Sequence, residues 1–316
     1  MTIDRVATNN QTSYMLSQIA KANVKLQQSE SQVTTGKVST DYAGIGDKTA
    51  ALQGAQAAAD RAQAYATNTQ LAVTQTDLQD TQLTTLTGLA QQLQKAIQSA
   101  AANADGTGLM TTAQSIFEQA SAILNSTDSN GNYLYGGQIT DKQPFTATSL
   151  ANLDSATSVA SCFQNGTTKK SVTVADGQTQ QIGVLASDIG TGLMTTLKAL
   201  YDEDKLSGTS GDLSGTLSET QVNDLSSTLA PQAISAYTNL NAVTAANGDT
   251  YTSLKNEVTN QQSLQNLYSG FVSDIQDVDM ATALTNLSQN QTALQAVLTV
   301  TSKLNDLSLL NYLPTS

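Results

Sequence analysis

The apolar residues near the C-terminal end of the chain follow a helical repeat, and no other feature of the sequence constrains the fold as strongly. From position 274 to 313 they recur mostly at intervals of three, four and seven residues, which places them on one face of a helix. The residues of this stripe are Ile275, Val278, Leu284, Leu287, Leu294, Val297, Leu298, Leu304, Leu307 and Leu310. The pattern therefore predicts a long amphipathic C-terminal helix.

A weaker stripe with heptad-like gaps begins the chain, at Leu16, Ile19, Leu26 and Val33. Isolated amphipathic helices are marginal in water, because helix nucleation is costly and most helical stability comes from packing. We therefore expect the two ends to pair with each other and with neighbouring copies of the chain. The predicted assembly seam consists of Leu16, Ile19, Leu26, Val33, Ile275, Leu284, Leu287, Leu294, Leu298, Leu304 and Leu307.

Between the two ends, the sequence predicts further helices over about 49–102, 109–126, 191–204 and 218–268, with Pro231 either kinking the last one or marking its start. Helical periodicity fades over 146–189, where apolar fragments alternate around Asn165-Gly166 and Asp176-Gly177, which favour turns. This segment is predicted to be rich in strands. The heptamer Gly-Thr-Gly-Leu-Met-Thr-Thr occurs at 106–112 and at 190–196, and we interpret both copies as glycine-rich entries to helices.

Charge and residue types exclude several classes of function. The chain has 14 basic and 26 acidic residues, a net charge of −12, which argues against binding nucleic acid or anionic membranes. Histidine is absent from the sequence, so the commonest general base and metal ligand are missing. Cys162 is the single cysteine and is expected to be a small buried thiol. We predict no cofactor, no metal and no catalytic residue.

The N-terminal sequence lacks the continuous apolar core of a cleavable signal peptide, and no run approaches the ~18 apolar residues of a membrane span. These signals alone indicate a cytoplasmic protein, unless a route other than general secretion exports it.

Three short motifs resemble chemical sites. Residues 44–49 lack the glycine that a phosphate loop needs before its lysine. Residues 126–137 would be half a calcium loop, but Gly137 stands where the bidentate glutamate belongs. Asp202 and Glu203 could act as an acid–base pair, although such acidic runs usually form a solvated helix end. A hydrolase that uses these carboxylates stays an alternative.

One compact block, NGNYLYGGQITDKQPF at 130–145, breaks the Ala-, Ser- and Thr-rich pattern. We interpret it as a β-hairpin at 131–145, with a bend at Gly136 and Gly137. In this interpretation Tyr133, Tyr135 and Phe145 pack as cross-strand aromatics against the helices.

Three elements of the sequence resemble the family of flagellar hook-associated protein 3, the hook–filament junction proteins. The aromatic-x-aromatic-Gly-Gly…Pro-Phe block at 133–145 resembles the family's signature hairpin. QVTTGK at 32–37 is similar to its N-terminal element, and DVD at 277–279, QTALQA at 291–296 and LSLL at 307–310 are similar to its C-terminal end. The family's Pro- and Asp-rich turn is replaced by STDYAG at 39–44. Flagellins share the helical terminal plan, so a flagellin or flagellin-like filament subunit is the competing interpretation. A helical adhesin or effector is a third.

The resemblance implies a mainly α fold, in which paired N- and C-terminal helices form an elongated bundle with a β-hairpin and a small β-rich insert. The implied domains are a terminal coiled-coil segment (1–42 with 273–316), a helical rod (43–145 with 190–272) and an outer insert (146–189). It further implies a homo-oligomeric ring that contacts hook-associated protein 1 and flagellin. Export would follow the flagellar type III route without a cleavable signal, and an export chaperone would cover the C-terminal stripe.

Overall fold

The computed structural model describes the backbone of residues 2–206 and 212–309, and the side chains of residues 10, 12–206 and 213–304. Its α-helices are α1 (Thr2–Thr35), α2 (Thr49–Asn103), α3 (Leu109–Leu124), α4 (Leu150–Ser155), α5 (Ala186–Leu206), α6 (Glu219–Asp224), α7 (Ala230–Gln276) and α8 (Met280–Leu309). Two strands, β1 (Lys170–Ala175) and β2 (Gln178–Ile182), form one antiparallel hairpin. The predicted mainly α class with long helices and a small hairpin is confirmed.

The chain folds into two compact units. One is built from the residues up to 61 and from 263 onward, and the other from residues 62–262. The helices α1 and α8 belong to the first unit, while α3 to α6 and both strands belong to the second.

The second unit holds a continuous hydrophobic core. Helix α3 inserts one face into it, with Ile116, Phe117 and Ala120 at most 1% exposed, because its apolar residues keep the helical period. Segment 146–189 shares this core, since Leu150, Leu153 and Val159 are buried in the same cluster. A second cluster packs β1 and β2 against α2 and α7, through Ala72, Val73, Val174, Ile182, Leu254 and Val258.

The aromatic block at 131–145 is not a strand hairpin, which corrects the prediction. Gly136 bends the chain so tightly that the Ile139 N–H donates to its carbonyl oxygen (3.2 Å), while the Tyr133 N–H reaches Thr140 O (2.9 Å). Beyond this bend the block bonds to other segments: the Gly166 N–H donates to Gly136 O and the Ala186 N–H to Tyr135 O, both at 2.9 Å. The block is a loop, because its backbone groups pair with three different parts of the chain, at Ser126, Gly166 and Ala186.

The aromatics of this loop also pack differently from the prediction. The ring of Phe145 lies 6.2 Å from Phe117 and 5.0 Å from Phe163, so its partners are core aromatics and not the tyrosines. Tyr135 is fully buried and donates its hydroxyl to Gln82 Oε1 (2.7 Å). Burial raises the pKa of the Tyr135 hydroxyl, so this group stays a donor.

Two other local predictions are refined. Asp176-Gly177 forms the turn between β1 and β2, with Gly177 at φ +69°, whereas Asn165-Gly166 lies outside the hairpin. The heptamer at 106–112 leads into α3 as predicted, but its copy at 190–196 lies inside α5. Before Pro231 a π-helical turn spans Leu225–Leu229, which agrees with a proline that lacks the N–H needed to close a regular turn.

Candidate assembly surface

The two ends of the chain meet at a short backbone junction. Gly36 ends α1 in the left-handed conformation (φ +69°), and its N–H donates to Gln32 O (2.9 Å), as a helix-ending glycine does. The Val38 N–H then donates to Gln276 O (2.8 Å), and the Val278 N–H donates to Gly36 O (2.9 Å). The Gly-Lys element and the Asp-Val-Asp element of the sequence therefore bond to each other.

Asp279 begins α8 at this junction. Its carboxylate accepts hydrogen bonds from the Ala281 N–H and from the Thr282 hydroxyl, each at 2.9 Å. The Thr282 hydroxyl first, and the Ala281 N–H second, hold the pKa of Asp279 below its usual value. Asp279 is thus an N-cap that stays ionised and favours the positive end of the helix dipole.

From the junction, α1 and α8 run antiparallel. Lys37 forms an antiparallel bridge with Asp277, and farther along, Asn290 Nδ2 donates to Ser29 Oγ (2.7 Å) and to Lys25 O (3.4 Å). The seam between the helices, here called the terminal seam, repeats at three- and four-residue steps on both of them, which is the heptad pattern of a coiled coil. Its members are Met15, Ile19, Ala22, Leu26, Ser29 and Val33 of α1, and Ala283, Leu287, Asn290, Leu294, Val297, Thr301 and Leu304 of α8.

The terminal seam is thinly buried. Among the described side chains of α1 and α8, Ser29 and Ala283 are buried, and the other seam members are half-buried. A small, partly polar seam provides little hydrophobic stabilisation compared with the fully buried leucines of the second unit.

Nine of the eleven predicted seam residues fall into two groups. Ile19, Leu26, Val33, Leu287, Leu294 and Leu304 lie in the terminal seam. Leu16, Leu284 and Leu298 are 61%, 52% and 47% exposed and form what we call the outer apolar face. Ile275 is half-buried in α7, and the side chain of Leu307 lies outside the described side chains.

Sequence reasoning missed the small and polar seam members. Ala22, Ser29 and Asn290 occupy heptad positions between apolar residues, so the spacing could have revealed them where hydropathy did not.

The remaining predicted site residues lie within the loop at 131–145. Gly136 and Gly137 are buried, and a Cβ on Gly137 would lie 2.6 Å from Thr168 O. Tyr135 and Phe145 are fully buried, and Tyr133 is half-buried. The loop is thus anchored inside its own unit by Tyr135 and Phe145.

Two of the three motifs that resembled chemical sites contain carboxylates with structural contacts. The Asp128 carboxylate accepts from the N–H groups of Asn130 (2.8 Å) and Asn132 (3.0 Å), which closes a turn. Asp202 lies 3.4 Å from Lys198 Nζ in an ion pair. Over the described residues, no three Asp, Glu or Cys side chains cluster as metal ligands, and none of the helices combines the length and apolarity needed to cross a bilayer.

Comparison with known proteins agrees with this arrangement. Residues 232–313, which include most of α7 and all of α8, match the family of the bacterial flagellin C-terminal helical region. This part of the chain is therefore similar to the C-terminal helical region of flagellins. No curated protein sequence matches the chain.

Two solved structures are similar in fold to this chain. One, described as a flagellar hook-associated protein from Vibrio parahaemolyticus, is 14% identical with a TM-score of 0.59, and the match covers 75% of this chain and 99% of that one. The other, FlgL of Bacillus cereus, is 15% identical with a TM-score of 0.51, and the match covers 70% and 98%. At these identities the two likenesses show a shared fold, and the family match is to residues 232–313.

Proposed function

We propose that the chain is a structural subunit of the bacterial flagellum that joins the hook, through hook-associated protein 1, to the flagellin filament. The observation that carries this proposal is the antiparallel terminal pair, whose α8 lies inside the matched flagellin region while Leu16, Leu284 and Leu298 stay exposed. Exposed apolar residues of this size on adjacent helices favour contacts between subunits.

The mechanism is mechanical and needs no catalytic residue. Copies of the chain form a ring, in which the segments 1–42 and 273–316 pack against those of neighbouring copies. The helical segments 43–145 and 190–272 surround this layer, and the insert 146–189 faces outward. Subunits leave the cell through the flagellar type III channel, and an export chaperone covers the apolar stripe of α8 beforehand.

A flagellin-like filament subunit is the second candidate, and the family match to the flagellin C-terminal region favours it. The two functions differ in what remains when the gene is deleted. Without a junction subunit, cells keep intact hooks and release unassembled flagellin into the medium. Without a filament subunit, the major extracellular filament protein itself is lost.

Electron micrographs of a deletion strain, together with the protein content of the culture medium, test this proposal. We expect bare hooks and secreted flagellin. Normal filaments in the deletion strain would contradict both candidates, and loss of the flagellin band would favour the second.

A further inference from the structure

A second apolar surface lies in the first unit, between the start of α2 and the end of α7. It is a groove of about 430 Å³. The Phe271 side chain is 45% exposed, and its ring meets that of Tyr268 edge-on at a centroid distance of 6.3 Å. The apolar lining residues are Ala51, Gly54, Ala55, Tyr268, Phe271 and Ile275.

The floor of this groove is open above a helical glycine. A Cβ placed on Gly54 would meet no atom within 4 Å apart from its own helix. Glycine inside a helix is destabilising relative to alanine, and nothing in the packing around Gly54 requires it. The close approach of another helix would explain a glycine at this position, because small residues let two helix backbones pack close together.

The rim of the groove carries a negative charge, at Asp274. On the solvent side of α1, Tyr14 and Val24 are 65% and 57% exposed, and the basic residues Lys21 and Lys25 are exposed beside them. The exposed Val24, with Lys21 one helical turn away, fits an apolar groove with a carboxylate at its edge, since the charges are complementary.

We infer that the groove of one subunit receives α1 of a second copy of this chain, with Val24 over Gly54 and Lys21 or Lys25 paired with Asp274. The inference rests on the proposed function in one respect, that copies of the chain associate with each other. It adds which two surfaces meet. When each groove receives α1 of the next copy, the contact is head-to-tail and leads to rings or open assemblies.

Filling the groove tests the inference in the full-length protein. In Gly54→Leu, the new Cβ meets no atom outside its own helix, and the leucine side chain occupies the place of Val24. We expect self-association, measured by sedimentation and chemical cross-linking, to weaken by about tenfold or more, as for a blocked interface centre. The matched control is Gly88→Leu, because Gly88 is also a glycine of α2 with open space above it and lies outside the groove.

Charge exchange gives an independent test that does not depend on the fold of the leucine variant. Lys21→Glu with Lys25→Glu, and Asp274→Lys alone, should each weaken self-association, and the variant that combines all three changes should recover it. Unchanged self-association of Gly54→Leu together with failed recovery would overturn the inference. Filament attachment in cells is scored separately, so an overturned groove contact leaves the junction function standing.

Discussion

The carboxylate of Asp154 contacts two lysine side chains at once. Lys198 Nζ lies 2.9 Å from Oδ1, and Lys205 Nζ lies 2.7 Å from Oδ2. A hydrogen bond from Asp202 first, then those from Lys205 and Lys198, hold the pKa of Asp154 well below its usual range. Burial first, and then the neighbouring Asp154, raise the pKa of Asp202. The four side chains tie the short α4 to α5.

We expect Asp154→Asn to lower the free energy of unfolding at neutral pH by about 1 kcal/mol, because both lysines keep contact with water. Since folding depresses the pKa of Asp154, its stabilisation is fully present above the usual carboxyl pKa of about 4 and is lost as the pH falls below it. The contribution of Asp202 to stability has the opposite pH dependence. Because folding raises the pKa of Asp202, its protonated form stabilises the folded state at low pH, and this stabilisation is lost as the pH rises through the pKa of the folded state. Urea unfolding from pH 2.5 to 7 measures both effects.

The control for Asp154 is Asp188→Asn. Asp188 lies 3.5 Å from Lys169, and both side chains are 40% exposed, so the substitution should change the stability little. Equal losses for the two variants would mean that the Asp154 network contributes no more than an ordinary surface pair.

Gly137 allows a second prediction at a single residue. Its φ is +67°, and a Cβ would lie 2.6 Å from Thr168 O and 2.7 Å from Leu185 Cδ2. Gly131 has φ +81° but open space around its Cβ position. Both alanine variants incur the cost of a left-handed backbone, and we expect Gly137→Ala to lose about 1–3 kcal/mol more because it is also overpacked. Thermal unfolding compares the two, and equal losses would contradict the clash.

The sequence predicted a bend at Gly136 and Gly137 but not its partners. A glycine pair indicates a sharp turn wherever it occurs. Local turn rules contain no information on contacts between distant segments. They therefore could not predict that Gly137 lies against Thr168, or that Phe145 packs against Phe163.

At the scale of elements, the polar pair in the terminal seam is open to test. Asn290 donates to Ser29 Oγ at 2.7 Å, and a polar pair in a heptad seam fixes the register at a cost in stability. We expect Ser29→Leu combined with Asn290→Leu to raise the melting temperature of α1 and α8 and to weaken their register. Circular dichroism, with spin-label distances across the seam, measures both.

Matched leucine substitutions outside the terminal seam serve as the control. They separate the effect of removing the polar pair from the general effect of adding apolar side chains. Ser31 and Gln289 are exposed neighbours on the same two helices. Ser31→Leu with Gln289→Leu should leave the melting temperature of the pair nearly unchanged. If they stabilise it as much as the seam variant does, the register role of Ser29 and Asn290 is refuted.

Long helices were predictable because their periodic patterns extend over many turns. The predicted helix at about 49–102 is α2, which spans Thr49–Asn103. The repeated heptamer shows where local sequence fails: one copy enters α3, while the other lies inside α5, where Gly190 would clash with Phe163 if it carried a Cβ. The predicted strands at 131–145 failed for a related reason, since the backbone of the loop bonds to residues 166 and 186. Identical or strand-like segments thus take their structure from their tertiary partners.

The composition of the terminal seam could be predicted only in part. Leu26 and Leu294 are apolar and lie in the seam, but Leu298 is equally apolar and 47% exposed. Position in the heptad, and not hydropathy, decides which residues face the partner helix. Contacts inside one subunit do not explain the exposed leucines, whereas the proposed contacts with other subunits would.

At the scale of the whole molecule, burial differs sharply between the two units. The second unit places residues such as Leu93, Ile97 and Leu197 in full burial, while buried side chains in the described parts of α1 and α8 are limited to Ser29 and Ala283. Regions with few buried apolar contacts open at lower free energy than the global unfolding reaction. The ends of an isolated subunit should therefore be its least stable part.

Hydrogen exchange and limited proteolysis test this difference on the full-length chain. In dilute monomer we expect residues 1–40 and 273–316 to exchange and to be cleaved early, while a fragment near 62–262 resists. Assembly should slow exchange in both ends, because neighbouring copies would cover the outer apolar face at Leu16, Leu284 and Leu298. Slow exchange throughout both ends of the monomer would mean that the terminal seam is sufficient by itself. The exposed leucines would then need no partner subunit, and the physical argument for assembly through the two ends would fail.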